Sequence, residues 1–213
     1  MQLTYINNKQ TRLLLFFCGF YSDENCFEDF DDGTYDILYI YDYSTIDHDI
    51  FDDFDFSRYN EIDLIAFSYG VWIAGIMNLA RALPEINKSL AVCGTFKPID
   101  DVYGVPHKVF EIMLKAMSAP TIAVFESKMF QGTKIRKSAR VIENLREELE
   151  NIKEMNAMKS EFDFDCVMLA KNDRIIPFSS QENHWAIHPN KKVLNTGHFP
   201  FYEFSDFKEM LSF

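Results

Sequence analysis

Continuous apolar runs that alternate with helical patterns restrict the fold of this 213-residue chain more than any other feature. In the clearest run, Leu13-Leu14-Leu15-Phe16-Phe17, every side chain is apolar, so both faces of an extended segment would avoid water. A strand of this kind is covered on both faces, as in a parallel sheet, whereas a half-exposed strand alternates apolar and polar residues. The pattern predicts an α/β fold with a mostly parallel central sheet of about seven strands, flanked by helices.

Seven runs predict the strands of this sheet, and the segments between them carry helical periodicity. We expect strands at residues 3–6, 12–17, 35–41, 62–67, 89–93, 164–170 and 191–194. Helical patterns cover residues 71–83, the long region 105–158, 180–187 and 203–211.

One segment of about sixty residues interrupts the alternation, because no strand is predicted between residues 96 and 160. Connections in α/β sheets are usually a few residues long, so we interpret residues 96–160 as an inserted helical cap, called the insert below. Residues 1–95 and 161–213 then form the core of a single domain. Ligands of open α/β sheets bind at the carboxyl ends of the strands, and we expect the insert to lie over that edge.

Charge and cysteine content exclude several functional classes. The chain has 33 acidic and 21 basic residues and a net charge of −12, which argues against a nucleic-acid or anionic-membrane binder. No apolar run is long enough to span a bilayer, and the first residues lack a signal-peptide layout. The four cysteines form no CxxC pair, so we expect reduced thiols. We expect a cytoplasmic monomer.

The segment around Ser68 has the layout of a nucleophile elbow. A strand pattern runs directly into Ser68, Gly70 follows, and a helix of small and apolar residues begins at once, as in the G-x-S-x-G motif. Ala66 replaces the first glycine of that motif. The N–H of Tyr69 at the helix start would stabilise an oxyanion. The alternative is that Ser68 only caps the helix.

A nucleophilic serine needs a base and an orienting carboxylate. His198 follows the last predicted strand, and Asp173 follows the strand predicted at 164–170. The order Ser68, Asp173, His198 is that of α/β-hydrolases, in which each residue lies on a loop after a strand. The alternatives are a helix-capping role for Asp173 and a polar turn for His198.

Two further features of the sequence are a possible second oxyanion donor and a possible metal-binding pair of histidines. Phe17-Cys18-Gly19-Phe20 is an apolar strand that ends in a glycine turn, so we assign the Phe20 N–H as the second oxyanion donor. His184 and His188 are spaced i,i+4 and could bind a metal. No carboxylate lies between them as in H-E-x-x-H, and Pro189 ends the helix, so we interpret both as surface residues.

Four segments carry a family resemblance that extends from about residue 3 to the end of the chain. They are Phe17-Cys18-Gly19-Phe20 with Asp23, Ala66-Phe67-Ser68-Tyr69-Gly70-Val71-Trp72, Asn172-Asp173-Arg174-Ile175-Ile176-Pro177, and Gly197-His198-Phe199-Pro200. Together they resemble the BioG-type pimeloyl-acyl-carrier-protein methyl ester carboxylesterases, of which the Ser-x-Gly-Val-Trp string is the most specific part.

This resemblance implies an α/β-hydrolase that removes the methyl group from the distal carboxylate of pimeloyl-acyl carrier protein in biotin biosynthesis. Ser68 would attack the ester carbonyl, His198 would transfer the proton, and Asp173 would orient the imidazole. The Phe20 and Tyr69 amides would hold the oxyanion. The resemblance implies no metal and no other cofactor.

The resemblance also suggests a purpose for a basic run in the insert, because acyl carrier protein is strongly acidic. We expect a docking surface formed by Lys134, Arg136, Lys137 and Arg140. We expect an apolar acyl channel lined by Met113, Met117 and Phe130. The alternative for the basic run is a solvated helix face without a partner.

Two other functions remain open from the sequence. The same residues would serve a carboxylesterase or thioesterase that acts on another acyl or small ester substrate, because a triad does not determine the substrate. A non-catalytic α/β-hydrolase scaffold that only binds a ligand is the alternative of a different class. Such scaffolds typically lack one triad residue, whereas Ser68, Asp173 and His198 are all present.

Overall fold

The continuous apolar runs form the central sheet of the computed structural model, which describes residues 1–213. In chain order the strands are β1 (Gln2–Ile6), β2 (Arg12–Phe17), β3 (Asp36–Tyr41), β4 (Glu61–Phe67), β5 (Lys88–Val92), β6 (Cys166–Ala170) and β7 (Lys191–Leu194). Their order across the sheet is β1-β3-β2-β4-β5-β6-β7. Only β1 runs antiparallel to its neighbour, β3, and every other pair is parallel.

Six α-helices accompany the sheet. They are α1 (Tyr69–Leu79), α2 (His107–Lys115), α3 (Ala119–Phe130), α4 (Ile142–Met155), α5 (Phe178–His184) and α6 (Phe207–Met210). Three of them, α2 to α4, lie between β5 and β6 and therefore within the insert. None of the helices is long and apolar enough to cross a membrane.

An aromatic cluster joins the carboxyl end of β2 to the loop after β7. Phe27 packs on Phe16 with ring centroids 4.4 Å apart and stacks on Phe199 at 5.5 Å. Phe67, the last residue of β4, lies edge-on to Phe199 at 5.7 Å. Because these rings are buried, the cluster fixes the backbone on either side of Phe199 against the sheet edge.

The predicted α/β architecture with a mostly parallel sheet is confirmed, and the differences are local. The strand predicted at 164–170 begins at Cys166, because the Asp165 carboxylate accepts hydrogen bonds from the backbone and hydroxyl of Ser89, each at 2.8 Å. The helix predicted at 203–211 is a 3₁₀ turn followed by α6, which begins where Asp206 accepts a hydrogen bond from the Glu209 amide.

Candidate active site

Ser68 lies at a tight turn between β4 and α1. Its backbone has φ 56° and ψ −121°, outside the regions that non-glycine residues usually adopt. The Ser68 side chain makes no capping hydrogen bond to α1, so the helix-cap alternative does not account for this residue. Strained backbone of this kind is held by its surroundings and concentrates at functional sites.

Two glycines allow this turn to approach the sheet. A Cβ atom on Gly70 would overlap the carbonyl oxygen of Phe17 at the end of β2. A Cβ atom on Gly94 would overlap the carbonyl oxygen of Ser68 itself. The turn therefore lies between the carboxyl ends of β2 and β5, the two strands that flank β4, where only glycine fits at positions 70 and 94. At position 66, two residues before the serine, the methyl group of Ala66 is accommodated in the core.

The structure brings Ser68, His198 and Asp173 into one hydrogen-bonded chain. His198 Nε2 lies 2.9 Å from Ser68 Oγ, and His198 Nδ1 lies 2.6 Å from Asp173 Oδ2. An Nδ1–H that donates to Asp173 leaves the Nε2 lone pair to accept the serine proton. The side chains of His198 and Asp173 are almost completely buried, so water does not compete for these bonds.

The Asp173 carboxylate is held by three donors besides His198. Oδ1 accepts from the Ile175 and Ile176 amides at 2.7 and 2.9 Å, and Oδ2 accepts from Gln181 Nε2 at 2.8 Å. Gln181 lies on α5 and is buried. Sequence reasoning missed Gln181, because a glutamine in a short polar helix is usually solvent-exposed. These bonds fix the orientation of the carboxylate that contacts His198.

Both predicted oxyanion donors lie beside Ser68. Phe20, Tyr69 and Ser68 line the same cavity. Tyr69 is the first residue of α1, so its N–H has no acceptor within the helix. The Phe20 N–H makes no hydrogen bond to the protein backbone. Both amides are therefore available to a negatively charged oxygen near Ser68.

The cavity in front of Ser68 has a volume of about 270 Å³ and is mainly apolar, with eleven hydrophobic residues among the fifteen that line it. The insert contributes ten of them: Val105, Val109, Phe110, Ile112, Met113, Thr121, Val124, Phe125, Lys128 and Leu149. The remaining lining residues are Phe20, Ser68, Tyr69, Arg174 and Ile175, so no acidic side chain lines the cavity. An apolar cavity of this kind suits an uncharged acyl chain.

Comparison with known proteins assigns the family. The family model described as pimeloyl-ACP methyl esterase BioG matches residues 1–210. The chain belongs to the BioG family. It aligns over its full length with the crystal structure of BioG from Haemophilus influenzae, with a TM-score of 0.87, 24% identity and coverage of 100% of both chains. An esterase from Exiguobacterium antarcticum matches with a TM-score of 0.68 and 14% identity over 94% of this chain and 89% of that one. These matches confirm the α/β-hydrolase fold.

Two curated relatives of this BioG-family chain each match most of it, but the match spans different shares of the relatives' own length. A malonyl-[acyl-carrier protein] O-methyltransferase from Bacteroides fragilis is 32% identical over 190 residues, which are 84% of this chain. The match spans only 37% of that larger protein. An uncharacterised protein from Haemophilus influenzae is 27% identical over 183 residues, which are 81% of this chain and 80% of that protein.

The predicted docking residues of the BioG-family chain do not share one free surface. The Arg140 side chain is only 6% exposed and pairs with Asp42 at 3.0 Å and Glu148 at 2.7 Å. Its assignment as a docking residue is therefore wrong, since its guanidinium is buried and already paired with two carboxylates of the same chain. Arg136 and Lys137 are 54% and 72% exposed.

The exposed cations also have partners within the chain. Arg136 pairs with Glu28 and lies 3.4 Å from Asp29, and Lys137 Nζ lies 2.6 Å from Glu126. Lys134 is exposed as well, and its side chain makes no ion pair. These three residues follow α3 within the segment 131–141, where an acidic partner would have to exchange with the internal carboxylates.

Of the three residues expected to line an acyl channel, one lies at the cavity in front of Ser68. Met113 lines the cavity, whereas Met117 and Phe130 do not. Met117 is buried two residues after the end of α2, and its carbonyl accepts a hydrogen bond from Arg146. The Phe130 ring packs edge-on against Phe199 at 5.2 Å. Both side chains contribute to the packing of the insert on the core.

His184 and His188 are both half-buried, which corrects their interpretation as surface residues, and Cys18 is fully buried. His184 Nε2 accepts a hydrogen bond from the Phe96 amide, and burial lowers the pKa of His184 to about 4. His188 Nε2 lies 2.8 Å from the Phe164 carbonyl oxygen. Burial raises the pKa of the Cys18 thiol, which disfavours a nucleophilic thiolate. All four cysteines are buried and unpaired.

Proposed function

We propose that this BioG-family protein is a serine esterase that hydrolyses pimeloyl-acyl carrier protein methyl ester to pimeloyl-acyl carrier protein and methanol, in biotin biosynthesis. One observation carries the proposal: the hydrogen-bonded chain from Ser68 through His198 to Asp173 opens into an apolar cavity. Membership of a family described as pimeloyl-ACP methyl esterase supports the choice of substrate.

The geometry supports a two-step reaction. Ser68 Oγ attacks the methyl ester carbonyl while His198 Nε2 takes the serine proton, and the imidazolium is stabilised by Asp173. The negative charge that develops on the carbonyl oxygen is held by the Phe20 and Tyr69 amides. His198 then donates its proton to the departing methoxy group, and methanol leaves.

Hydrolysis of the acyl-enzyme completes the cycle. His198 removes a proton from water, which attacks the acyl carbonyl, and Ser68 recovers its proton as the carboxylic acid is released. The acid ionises at neutral pH, and burial of a carboxylate among apolar side chains is costly. The apolar side chains of the cavity therefore favour the neutral methyl ester, and the lining groups that favour the carboxylate are Lys128 and Arg174.

An acidic carrier protein is the proposed partner. The cations that remain for docking are Lys134, Arg136 and Lys137 in the segment 131–141, together with Lys128 and Arg174 at the cavity. Lys128, Lys134 and Arg174 are exposed and make no ion pair within the chain, so they are free to contact an acidic protein, whereas Arg136 and Lys137 must first exchange their internal carboxylates. The reaction needs no metal or redox cofactor.

The name of the Bacteroides fragilis relative does not favour a methyl-transferring function for this chain. The match leaves most of that protein outside the aligned segment. A serine, a histidine and an aspartate in hydrogen-bonding order support acyl transfer to water.

The test is product analysis with methyl pimeloyl-acyl carrier protein. We expect the wild type to release methanol and leave the pimeloyl chain attached to the carrier. Ser68→Ala should lose activity by several orders of magnitude, while Ser179→Ala, which alters an exposed serine, should keep it. Release of the free carrier thiol with monomethyl pimelate would identify a thioesterase, and the absence of any turnover would contradict the assignment.

A further inference from the structure

The oxyanion loop, residues 18–23, depends on contacts from outside itself. It passes so close to the nucleophile that a Cβ atom on Gly19 would lie 2.8 Å from Ser68 Cβ. Tyr21 has φ 76°, which is the left-handed region that non-glycine residues avoid. A residue keeps such a conformation only where neighbouring groups hold it.

The core and the insert hold this loop from opposite sides. On the core side, the Tyr43 hydroxyl donates to the Cys18 carbonyl oxygen at 2.7 Å. On the insert side, the Tyr21 hydroxyl donates to Glu126 Oε1 on α3 at 2.6 Å. The Asp23 carboxylate accepts from Ser138 Oγ at 2.8 Å and from the Ala139 amide at 2.7 Å. The insert therefore contacts the loop directly after Phe20.

The bond between Tyr21 and Glu126 is strong for a side-chain pair. Its acceptor is a carboxylate, and charge-assisted hydrogen bonds are shorter and stronger than neutral ones. The other oxygen of Glu126 pairs with Lys137 Nζ at 2.6 Å, which orients the carboxylate. Burial and the contact with Glu126 both raise the pKa of Tyr21, so the phenol remains a donor throughout the neutral range.

We propose that Tyr21 and Glu126 are positioning residues, through which α3 of the insert holds the oxyanion loop with the Phe20 amide directed toward Ser68. This inference rests on the proposed function, because the Phe20 amide acts on the oxyanion of an acyl transfer. Tyr21 directly follows Phe20 and has the positive φ of the loop. Loss of its side-chain bond would therefore allow the backbone next to the Phe20 amide to leave this strained conformation. Neither Tyr21 nor Glu126 lines the cavity, so we expect loss of their bond to affect kcat rather than KM.

The kinetic test uses Tyr21→Phe, which deletes only the hydroxyl and keeps the ring between Phe125 and Phe130. With p-nitrophenyl butyrate we expect kcat to fall about tenfold and KM to remain unchanged. This loss is smaller than the roughly 10²–10³-fold fall in kcat that follows complete removal of an oxyanion donor. Affinity for a trifluoromethyl ketone, whose adduct carries an oxyanion, should fall by the same factor. Glu126→Ala should reproduce the loss and Glu126→Gln, which keeps an acceptor oxygen, should restore most of it.

Tyr202→Phe is the matched control, because the Tyr202 hydroxyl also donates to the insert, at the Lys134 carbonyl oxygen. We expect unchanged kcat in this variant. The double variant of Tyr21→Phe and Glu126→Ala should be no slower than either single variant, since both delete one bond. Additive losses, or equal losses in Tyr202→Phe, would overturn the inference.

Amide hydrogen exchange tests the same contact without a substrate. Exchange at residues 19–23 should be faster in Tyr21→Phe and Glu126→Ala than in the wild type, and unchanged in Tyr202→Phe. Unchanged exchange in all variants would overturn the inference even if the protein is an active esterase. Faster exchange and slower p-nitrophenyl ester hydrolysis, with no turnover of methyl pimeloyl-acyl carrier protein by the wild type, would instead refute the proposed substrate.

Discussion

Replacement of Arg140 by methionine should destabilise the fold. The guanidinium is buried between Glu148 on α4 and Asp42, which directly follows β3, so it joins the insert to the core. Methionine keeps the side-chain volume but leaves two buried carboxylates without their cation. The loss of one partner from a buried ion pair costs about 3–5 kcal/mol. This is a large part of the roughly 5–15 kcal/mol that stabilises a typical domain.

The loss should depend on pH, and its sign follows from Glu148. Burial raises the pKa of Glu148 above its ordinary value of 4.5, and the ion pair with Arg140 counteracts that rise. Without Arg140 the pKa of Glu148 rises further. An acid whose pKa is raised in the folded state is most favourable to folding below its unfolded pKa, and this contribution disappears as the pH passes the folded pKa. Arg140→Met should therefore lose more stability at about pH 8 than at about pH 5.

Urea unfolding followed by circular dichroism at these two pH values measures the effect. The expected loss corresponds to a fall in Tm of roughly 10 °C. Glu148→Gln in the Arg140→Met background should recover part of it by removing the buried charge. Arg136→Met is the matched control, since exposed ion pairs contribute about 0–1 kcal/mol. A loss below about 1 kcal/mol for Arg140→Met, or one equal at both pH values, would refute the buried-network argument.

Three further predictions concern other parts of the molecule. Gly70→Ala should abolish soluble folded protein or lower its Tm by roughly 10 °C or more, because the added methyl group overlaps the Phe17 carbonyl; a wild-type thermal transition would contradict this. His184 should titrate near pH 4 by NMR. Because its pKa is lowered from 6.5 in the folded state, the free energy of unfolding should fall as the pH drops from 6.5 toward 4, and this dependence on pH should be weaker in His184→Gln. The double charge reversal Lys134→Glu and Arg136→Glu should reduce kcat/KM for the carrier-linked ester at least tenfold and leave p-nitrophenyl butyrate unaffected, and equal losses on both substrates would exclude docking at this surface.

The parallel sheet could be predicted from the sequence because the burial of its strands determines which residues occur in each short segment. Runs such as 13–17 are apolar at every position, which is typical of a strand covered on both faces. The same reasoning brought Ser68, Asp173 and His198 to one edge, since each was expected on a loop after a parallel strand. Their hydrogen-bond distances, by contrast, follow from the aromatic packing of the loop after β7, which local patterns do not reveal.

The errors concern residues whose burial and partners are determined by tertiary packing. Arg140 belongs to a basic run that resembles a solvated or docking surface, and nothing local indicates that Asp42 and Glu148 enclose it. Gln181 resembles a surface residue of a short helix, yet it supports Asp173. Whether the Met117 side chain points into the cavity depends on where α2 ends. Periodicity alone does not determine that end within a region interrupted by prolines.

The covalent intermediate tests the central claim most directly. Hydrolysis of the methyl ester requires that Ser68 be acylated by the distal carbonyl, so the pimeloyl chain would briefly link the enzyme to the carrier protein. Acid quenching of the enzyme with methyl pimeloyl-acyl carrier protein, followed by intact mass and peptide mapping, detects this species. We expect an adduct whose mass is that of the enzyme plus methyl pimeloyl-acyl carrier protein minus methanol, attached at Ser68 and absent in Ser68→Ala. A methyl pimeloyl group on Ser68 with free carrier in solution, or an adduct that persists in Ser68→Ala, would contradict it.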